Sequence, residues 1–422
     1  MAMAEKMRAL LAQRRRGHSL PQGLYIDPEA HELDRRAIFE RHWMQAGLVS
    51  QIPRAGDYLT FEVSGSSVII LRHDDGGIRA FFNTCRHRGA RLCRDGGGHI
   101  TRRLVCPYHQ WAYDLDGHLT QAPRMHEGFD RRGIRLAPAR VETVAGLIYV
   151  CLSEDAPDFA PFRAALEPML EPHELIHAKV AHTVTLVERA NWKLVMENAR
   201  ECYHCRAGHP ELMRSFSDFT APDVSGRAAA WIAAYEARCE ARSLRSGTIT
   251  GPWYEIGRYP LTEGAISYTM DGRPAVAKSL GRVGDGDVGV MWWAVQPNGF
   301  NHVAGDYGFF FQALPTGPLE TTVTGTWIVH QDAVAGVDYD LQRLAEVWSA
   351  TNDQDRALSE NNQRGVESLA YVPGPYSQTS EQLTLRLIDW YCAAAERYLS
   401  GAGSGVGSDS ETPVCRSAAI SG

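Results

Sequence analysis

Residues 191–209 read NWKLVMENARECYHCRAGH, and this segment carries the ionisable side chains on which the interpretation of the rest of the chain depends. Its apolar residues recur at three- and four-residue steps: Trp192, Val195, Met196, Ala199 and Tyr203. This spacing predicts an amphipathic helix that turns one stripe towards a core. The segment therefore reads as a buried helix that also carries ionisable side chains.

Those ionisable side chains are Glu201, His204 and His209, in the pattern E-x-x-H-x4-H. Glu201 and His204 are three residues apart and should share a helix face. On an ideal helix His209 would point about 140° away from His204. Gly208 and Pro210 flank it, however, and both end helices, so the chain can unwind there and bring both imidazoles to one metal ion. Two half-buried histidines with ordinary hydrogen bonds are the alternative.

Composition restricts the class of protein. The chain has 422 residues, of which 44% are hydrophobic and 22% are charged, which predicts a soluble globular protein of two or three domains. A net charge of −7 disfavours nucleic acid as the main partner. No apolar run approaches the roughly 18 residues of a membrane span. Nine cysteines without a secretory signal predict reduced thiols and a cytoplasmic protein rather than a disulfide framework.

A second constellation consists of Cys85-x-His87 and Cys106-x2-His109. Short β-rich runs between residues 58 and 83 predict that it lies in a small antiparallel β-domain. Two cysteines and two histidines can hold zinc, but zinc fingers usually pair cysteine with cysteine and histidine with histidine. The pattern resembles the Rieske motif, in which two cysteines bind one iron of a [2Fe-2S] cluster and two histidines bind the other.

The Rieske motif followed by N-W-K-x3-E-N-x2-E-C-Y-H-x4-H resembles the large (α) subunit of Rieske non-haem iron oxygenases over about residues 24–399. The resemblance implies that His204 and His209 bind a mononuclear Fe(II), with an aspartate completing a 2-His-1-carboxylate triad. The family pattern places this carboxylate at Asp355, with Asp353 as the competitor. Both lie on a predicted helix, where residues two apart face different ways, so only one should reach the iron.

Glu201 stands where aromatic-ring dioxygenases usually have aspartate. Together with R-E-C-Y-H-C and residues 371–377, this glutamate resembles the branch that oxidises quaternary ammonium compounds, which includes glycine betaine, choline and carnitine oxygenases and stachydrine demethylase. The resemblance implies that Glu201 is the bridge that carries electrons from the Rieske histidine of a neighbouring subunit in a homo-oligomer, typically a trimer.

The implied reaction is O2-dependent hydroxylation of an N-methyl group, with release of formaldehyde and with electrons from an NAD(P)H-dependent flavin or ferredoxin-type reductase. Two alternatives remain open. One is an aromatic-ring hydroxylating dioxygenase, which the same metals would support. The other is a Rieske electron carrier, which would need only about the first third of this chain. The sequence does not specify which betaine is used.

A quaternary ammonium group cannot donate hydrogen bonds, so an aromatic cage is the expected binding site. The candidates are Phe216, Phe219, Trp253, Tyr254, Tyr259, Trp292, Trp293, Phe300, Phe309, Phe310 and Phe311. Most of these should be sheet core. Trp292 and Trp293 are the two that we single out as substrate contacts.

The predicted fold is α+β. Residues 1–45 form an N-terminal helical arm, 46–155 a Rieske [2Fe-2S] β-domain, and 156–400 a catalytic domain in which helices flank an antiparallel sheet that holds Fe(II). The Pro-rich residues 155–172 read as a linker. Residues 401–422 are rich in glycine and serine and are predicted to be a disordered tail.

Overall fold

The computed structural model describes residues 2–94, 96–217, 226–283 and 287–401. The predicted tail thus lies outside the described residues apart from Gly401. The α-helices of these ranges are α1 (Ala2–Ala12), α2 (Gly23–Ile26), α3 (Pro28–Asp34), α4 (Ala160–Leu170), α5 (Trp192–Asn198), α6 (Cys205–Gly208), α7 (Gly226–Ala241), α8 (Leu341–Val366) and α9 (Gln382–Leu399).

The strands are β1 (Met44–Leu48), β2 (Asp57–Val63), β3 (Ser66–Arg72), β4 (Ile78–Phe82), β5 (Gly97–His99), β6 (Leu104–Val105), β7 (Ala112–Tyr113), β8 (Leu119–Gln121), β9 (Arg140–Val144), β10 (Leu147–Cys151), β11 (Ala178–Glu188), β12 (Gly247–Thr250), β13 (Tyr254–Tyr259), β14 (Val290–Val295), β15 (Gly299–Val303), β16 (Gly308–Gly317) and β17 (Glu320–His330). The mixture of sheets and flanking helices confirms the predicted α+β class.

The N-terminal half is built from small antiparallel sheets, with strand orders β4-β3-β2-β5, β6-β7-β8 and β1-β10-β9. Strand β2 alternates buried and partly exposed residues, as expected of a sheet covered on one face. Ile69, Phe81 and Tyr113 belong to a separate hydrophobic core beneath the two Cys/His loops. The predicted β-domain therefore has its own core.

The C-terminal half contains a seven-stranded antiparallel sheet of order β11-β17-β16-β15-β14-β13-β12. Every residue of β14 is buried, because one face of the strand packs on core side chains and the other closes a cavity. This sheet supplies one wall of the candidate site, and α5, α6 and α8 supply the other.

The N-terminal helices pack on the C-terminal ones. Asp27 caps α3 by accepting a hydrogen bond from the Glu29 amide at 2.9 Å, and proline occupies the first helical position. Gln22 donates to the carbonyl of Val366 at the end of α8 at 2.6 Å. The predicted arm is therefore fastened to the half of the chain that carries α8.

Residues 191–209 do not form one helix. Helix α5 begins after Asn191, whose side chain accepts from the Lys193 amide at 3.0 Å, and it ends at Asn198. The amides of Arg200 and Glu201 then bond to carbonyls only three residues back, at 3.2 and 3.4 Å, which tightens the chain into a turn. The predicted continuous stripe is wrong at its end, where Tyr203 is 71% exposed.

The predicted linker 155–172 is also mostly helix. Pro161 lies in the first turn of α4, where its missing N–H costs no hydrogen bond. Phe162, Leu166 and Met169 are buried and anchor α4 to the core. Among the helices of the described ranges, none combines the length and the apolarity needed to cross a membrane.

Candidate active site

The first candidate centre lies at two loops that have the same local geometry. The Gly89 amide bonds to the Cys85 carbonyl at 2.9 Å, and the Gln110 amide bonds to the Cys106 carbonyl at 3.0 Å. The residues that close the turns have φ of +77° (Gly89) and +62° (Gln110), in the left-handed region. Each turn thus presents one cysteine and, two or three residues later, one histidine.

The four side chains fit a [2Fe-2S] cluster. Cys85 and Cys106 are 2% and 1% exposed. His87 and His109 lie above them with ring centroids 4.6 Å apart. The Nδ1 atoms of both rings are buried, and neither has a hydrogen-bond partner among the described residues. A buried polar atom needs a partner, and iron would supply one here.

The surroundings of these loops fix the Cys85 thiol and the His87 ring in place. The Tyr113 hydroxyl lies 3.2 Å from the Cys85 Sγ and accepts a hydrogen bond from the Arg86 amide at 3.0 Å. Burial, together with the nearby Cys106, raises the pKa of Cys85. The thiol would therefore lose its proton only to a metal or another strong counter-charge. His87 stacks on Trp111 at 4.7 Å, which fixes the plane of the ring.

The second candidate centre consists of three ligand atoms that face one point. The Nε2 atoms of His204 and His209 are 2.9 Å apart, and Asp355 Oδ1 lies 3.3 Å and 3.1 Å from them. Two ligands at right angles, each about 2.1 Å from one metal ion, are about 3.0 Å apart. The three atoms therefore fit one face of an octahedron, the arrangement of a 2-His-1-carboxylate iron site.

Helix phase decides between the two candidate aspartates. Asp355 turns towards the imidazoles, whereas the Asp353 side chain is 58% exposed and pairs with Arg356 at 2.9 Å. Burial alone would raise the pKa of Asp355, but the neighbouring His204 and His209 imidazoles lower it below its usual value. Asp355 is thus held as a carboxylate.

Each imidazole is fixed from behind through its Nδ1 atom. Glu201 Oε1 lies 2.5 Å from His204 Nδ1, and Gln354 Oε1 lies 2.9 Å from His209 Nδ1. Gln354 is itself held by donating to Glu211 at 2.7 Å. Because both Nδ1 atoms are engaged, both Nε2 atoms face the centre. Sequence reasoning missed Gln354, although it stands between the two aspartates that were compared.

The same carboxylates change the proton affinity of His204. Burial alone would lower its pKa, but Asp355 and Glu201 raise it to about 9. Metal binding at this centre would therefore release a proton, since a ligand imidazole must be neutral at Nε2.

Cys202 and Cys205 form a disulfide, contrary to the expectation of reduced thiols. The turn after α5 places their Cα atoms 4.8 Å apart, within the range that a disulfide spans. The remaining cysteines of the described residues are buried thiols. Cys205 Sγ lies within 4.8 Å of the imidazole nitrogens of His204 and His209, but a sulfur bonded to Cys202 is not available as a thiolate ligand.

A cavity of about 400 Å³ opens beside the three ligand atoms. Its aromatic lining consists of Phe216, Tyr259, Tyr268, Trp292, Phe300, His302, Phe309, Phe311 and Trp348. Six of the candidates from the sequence are therefore present. Trp253, Tyr254, Trp293 and Phe310 lie elsewhere in the core. Phe219 falls outside the described residues.

Strand register explains which aromatics reach the cavity. Trp292 pairs with His302 across β14 and β15, and His302 pairs with Phe309 across β15 and β16, so the three form a row on one face. Trp293 points to the opposite face, where its indole N–H donates to the Tyr149 hydroxyl at 3.1 Å. The prediction of Trp293 as a substrate contact is therefore wrong, and Trp292 stays a prediction.

Tyr268, His302 and Trp348 were not foreseen. The His302 ring lies 4.7 Å from Phe300 and 4.8 Å from Trp348, and burial lowers its pKa to about 3, so it is a neutral aromatic ring. The two-residue alternation of Phe300 with His302 was a usable signal. Tyr268 and Trp348 arrive from other elements, and no local pattern indicated them.

Family models match most of the chain. A Rieske [2Fe-2S] domain matches residues 42–144, and the catalytic domain of the ring hydroxylating alpha subunit matches residues 175–396. The glycine betaine monooxygenase oxygenase subunit of Chromohalobacter salexigens is 43% identical over 394 residues, which cover 90% of this chain and 87% of that protein.

More distant relatives carry similar names. The carnitine monooxygenase oxygenase subunit of Escherichia coli K12 is 36% identical over 207 residues, which are 47% of this chain and 53% of that protein. The fold is similar to that of a solved quaternary ammonium Rieske monooxygenase described for carnitine oxidation by gut microbiota and inter-subunit electron transfer. The TM-score is 0.68 at 21% identity, over 92% of this chain and 97% of that one.

Proposed function

The chain belongs to the ring hydroxylating alpha subunits of the Rieske non-haem iron oxygenases, and from that premise we propose that it hydroxylates an N-methyl group of a betaine-like quaternary ammonium compound. It is an O2-dependent oxidoreductase whose cofactors are a Rieske [2Fe-2S] cluster and a mononuclear iron. The observation that carries the substrate class is the row of aromatic rings beside the three ligand atoms.

This wall suits a cation that has no N–H to donate. Aromatic faces attract a quaternary ammonium group through their quadrupoles, and they do so more strongly in a site shielded from water. Because His302 is neutral, its ring does not repel the cation. Trp292 and its neighbours would therefore hold the ammonium group and keep one methyl group at the centre formed by His204, His209 and Asp355.

We propose the following ligand assignment. Cys85, His87, Cys106 and His109 hold the cluster, and His204, His209 and Asp355 hold Fe(II). When bound, the two groups supply single electrons and the activation of O2. The protein supplies positioning: Glu201 and Gln354 keep the imidazoles in one orientation, and the aromatic wall excludes water from the reacting methyl group.

The chemistry of the substrate determines the products. One oxygen atom of O2 enters the methyl group and the other leaves as water, which consumes two electrons and two protons. The resulting N–CH2OH group then loses its hydroxyl proton and breaks its C–N bond, and the electron pair stays on nitrogen. Formaldehyde and a tertiary amine are the expected products.

Electrons have to come from outside the chain, since the cluster carries them singly and the reaction needs two. We propose an NAD(P)H-dependent flavin or ferredoxin-type reductase as their source, in the cytoplasm. We also propose that Glu201 receives them from the Rieske histidines of a neighbouring copy in a ring, which is a trimer. The direct contact of Glu201 with His204 supports the bridging role.

The test is a formaldehyde assay on anaerobically reconstituted protein with a reductase, NADH and a panel of substrates. The panel contains glycine betaine, proline betaine, carnitine, choline and a simple arene, and oxygen uptake is followed in parallel. Formaldehyde equal to the oxygen consumed with one amine would support N-demethylation. Oxygen uptake with the arene alone, and no formaldehyde from any amine, would contradict the proposal in favour of a ring dioxygenase.

A further inference from the structure

One residue of the cavity wall carries a charge that the aromatic cage does not explain. Arg200 lies in the turn after α5, lines the cavity, and is only 1% exposed. Its guanidinium carbon stands 5.4 Å from the centroid of the Phe300 ring. Its Nη2 donates to the carbonyl of Val295 at 2.9 Å and to Gln296 Oε1 at 3.3 Å. The arginine is thus fixed at the end of β14 and next to the aromatic row.

Within the part of the chain that the structure describes, the other nitrogens of Arg200 have no acceptor. Nε and Nη1 are buried, and neither has a hydrogen-bond partner among the described residues. Leaving buried donors of a charged group unpaired is costly, more so than for neutral groups. Burial of the unpaired cation also lowers the pKa of Arg200 to about 9. A hydrogen-bond acceptor beside Nε or Nη1 would remove the energetic cost of these unpaired donors.

The acid whose charge acts on Arg200 does not fill this role. Glu255 lines the same cavity and its charge acts on Arg200, but its carboxylate forms an ion pair with Arg386. The other buried arginine of the cavity, Arg258, is already engaged: its two terminal nitrogens donate to Val288 O at 3.1 Å, to Met169 O at 3.1 Å and to His173 Nε2 at 2.9 Å. Of the two buried arginines that line the described part of this wall, Arg200 is therefore the one with an unpaired terminal nitrogen.

We propose that Arg200 receives the carboxylate of the substrate through an N–H of Nε or Nη1, while the aromatic wall holds the quaternary ammonium group. The inference rests on the function proposed above and narrows its substrate class to zwitterions that bear a carboxylate. Arginine is well suited to this role because its donors are fixed in a plane and it remains charged. A cationic alcohol such as choline offers no anion and would leave the guanidinium unpaired.

The test compares two ligands that share the trimethylammonium group. Dissociation constants of glycine betaine and choline are measured by calorimetry on the anaerobic, iron-loaded enzyme and on its Arg200→Gln and Arg200→Lys variants. Wild-type enzyme should prefer glycine betaine, and Arg200→Gln should weaken glycine betaine about 10- to 100-fold with little change for choline, the range of one charge-assisted hydrogen bond in a buried site. Arg200→Lys keeps the charge and should recover part of the preference.

A structural role of Arg200 at the end of β14 would affect both ligands alike. Equal losses for glycine betaine and choline, or an unchanged ratio between them, would overturn the inference while leaving the proposed function intact. Should a variant fail to fold, wild-type enzyme offers a second comparison: the methyl ester of glycine betaine, which lacks the negative charge, should bind at least about 10-fold more weakly than glycine betaine. Equal affinity for glycine betaine and for its methyl ester would also overturn the inference about Arg200. If no quaternary ammonium compound binds or is demethylated, the proposed function falls as well.

Discussion

Replacing Gln354 by leucine should weaken iron binding without touching a ligand. The change removes the 2.9 Å contact with His209 Nδ1 and the 2.7 Å contact with Glu211. His209 is 1% exposed, so water cannot easily replace the lost acceptor. Loss of such an outer partner typically lowers metal affinity 10- to 100-fold, or about 1.4–2.7 kcal/mol. We expect a decrease of this size in the affinity for Fe(II).

Iron binding can be measured by anaerobic titration of the loaded protein with a ferrous chelator, with the absorbance of the Rieske cluster as an internal count of intact chains. Gln354→Glu keeps an acceptor at His209 but loses the donor to Glu211 and sets two carboxylates against each other, so its iron affinity should fall between those of wild type and Gln354→Leu. Asp353→Asn is the matched control on the same helix, because this side chain is 58% exposed and faces away from the centre.

Two results would refute the reasoning. Gln354→Leu with wild-type iron affinity would mean that the orientation of His209 does not depend on this contact. An equal loss in Asp353→Asn would mean that the effect comes from a general disturbance of α8, because that aspartate contacts Arg356 and not the centre.

Three further outcomes are expected. The Lys193–Asp34 ion pair is fully buried, so Lys193→Met should leave an uncompensated charge and lower the free energy of unfolding by about 3–5 kcal/mol in a denaturant titration, and adding Asp34→Asn should restore part of it. Burial raises the pKa of Glu197 from 4.5 to about 7, so the folded state binds this proton more tightly than the unfolded state does. The stabilisation that this proton gives the folded state is on the order of 3 kcal/mol, is complete below about pH 4.5 and is lost as the pH rises through about 7. Thermal unfolding at a series of pH values should show that Glu197→Gln lacks this pH dependence. In His204→Ala the absorbance of the cluster should persist while substrate-dependent oxygen uptake disappears, and retained turnover would contradict the assignment of this histidine to the iron.

The two metal-binding patterns could be predicted from the sequence because their spacing is dictated by chemistry. Cys85 and Cys106 each open a short turn that brings a histidine close by, so a local pattern reflects the whole ligand set. Helix phase lets only one of Asp353 and Asp355 reach the imidazoles, and in the structure that residue is Asp355.

The path of the chain between the ligands could not be predicted in the same way. The residues of 191–209 have the apolar spacing of one helix, but the helix ends at Asn198, and the Cys202–Cys205 bond lies in the irregular segment that follows. Tertiary contacts overrode the local pattern, which is common for short segments held on several sides. The polar residues of the segment, not its apolar ones, were the better guide.

The cavity shows a further limit of local patterns. Two-residue alternation separates Trp292 from Trp293 only once the face of β14 is known, and that face is set by the packing of the whole sheet. Trp348 reaches the same cavity from α8, and its ring stacks on Phe309 at 4.5 Å. Contacts of this kind depend on how elements distant in sequence pack together, so no local pattern predicts them.

The bond between Cys202 and Cys205 also affects how the enzyme is prepared. While it is intact, the sulfur near the two imidazoles has no free thiolate, and the centre offers nitrogen and oxygen donors that suit Fe(II). A strong thiol reductant would release that thiolate, and sulfur beside two imidazoles is a donor set that zinc occupies readily. Samples purified in reducing buffer should accordingly contain more adventitious zinc, and the order in which reductant and ferrous salt are added becomes part of the loading protocol.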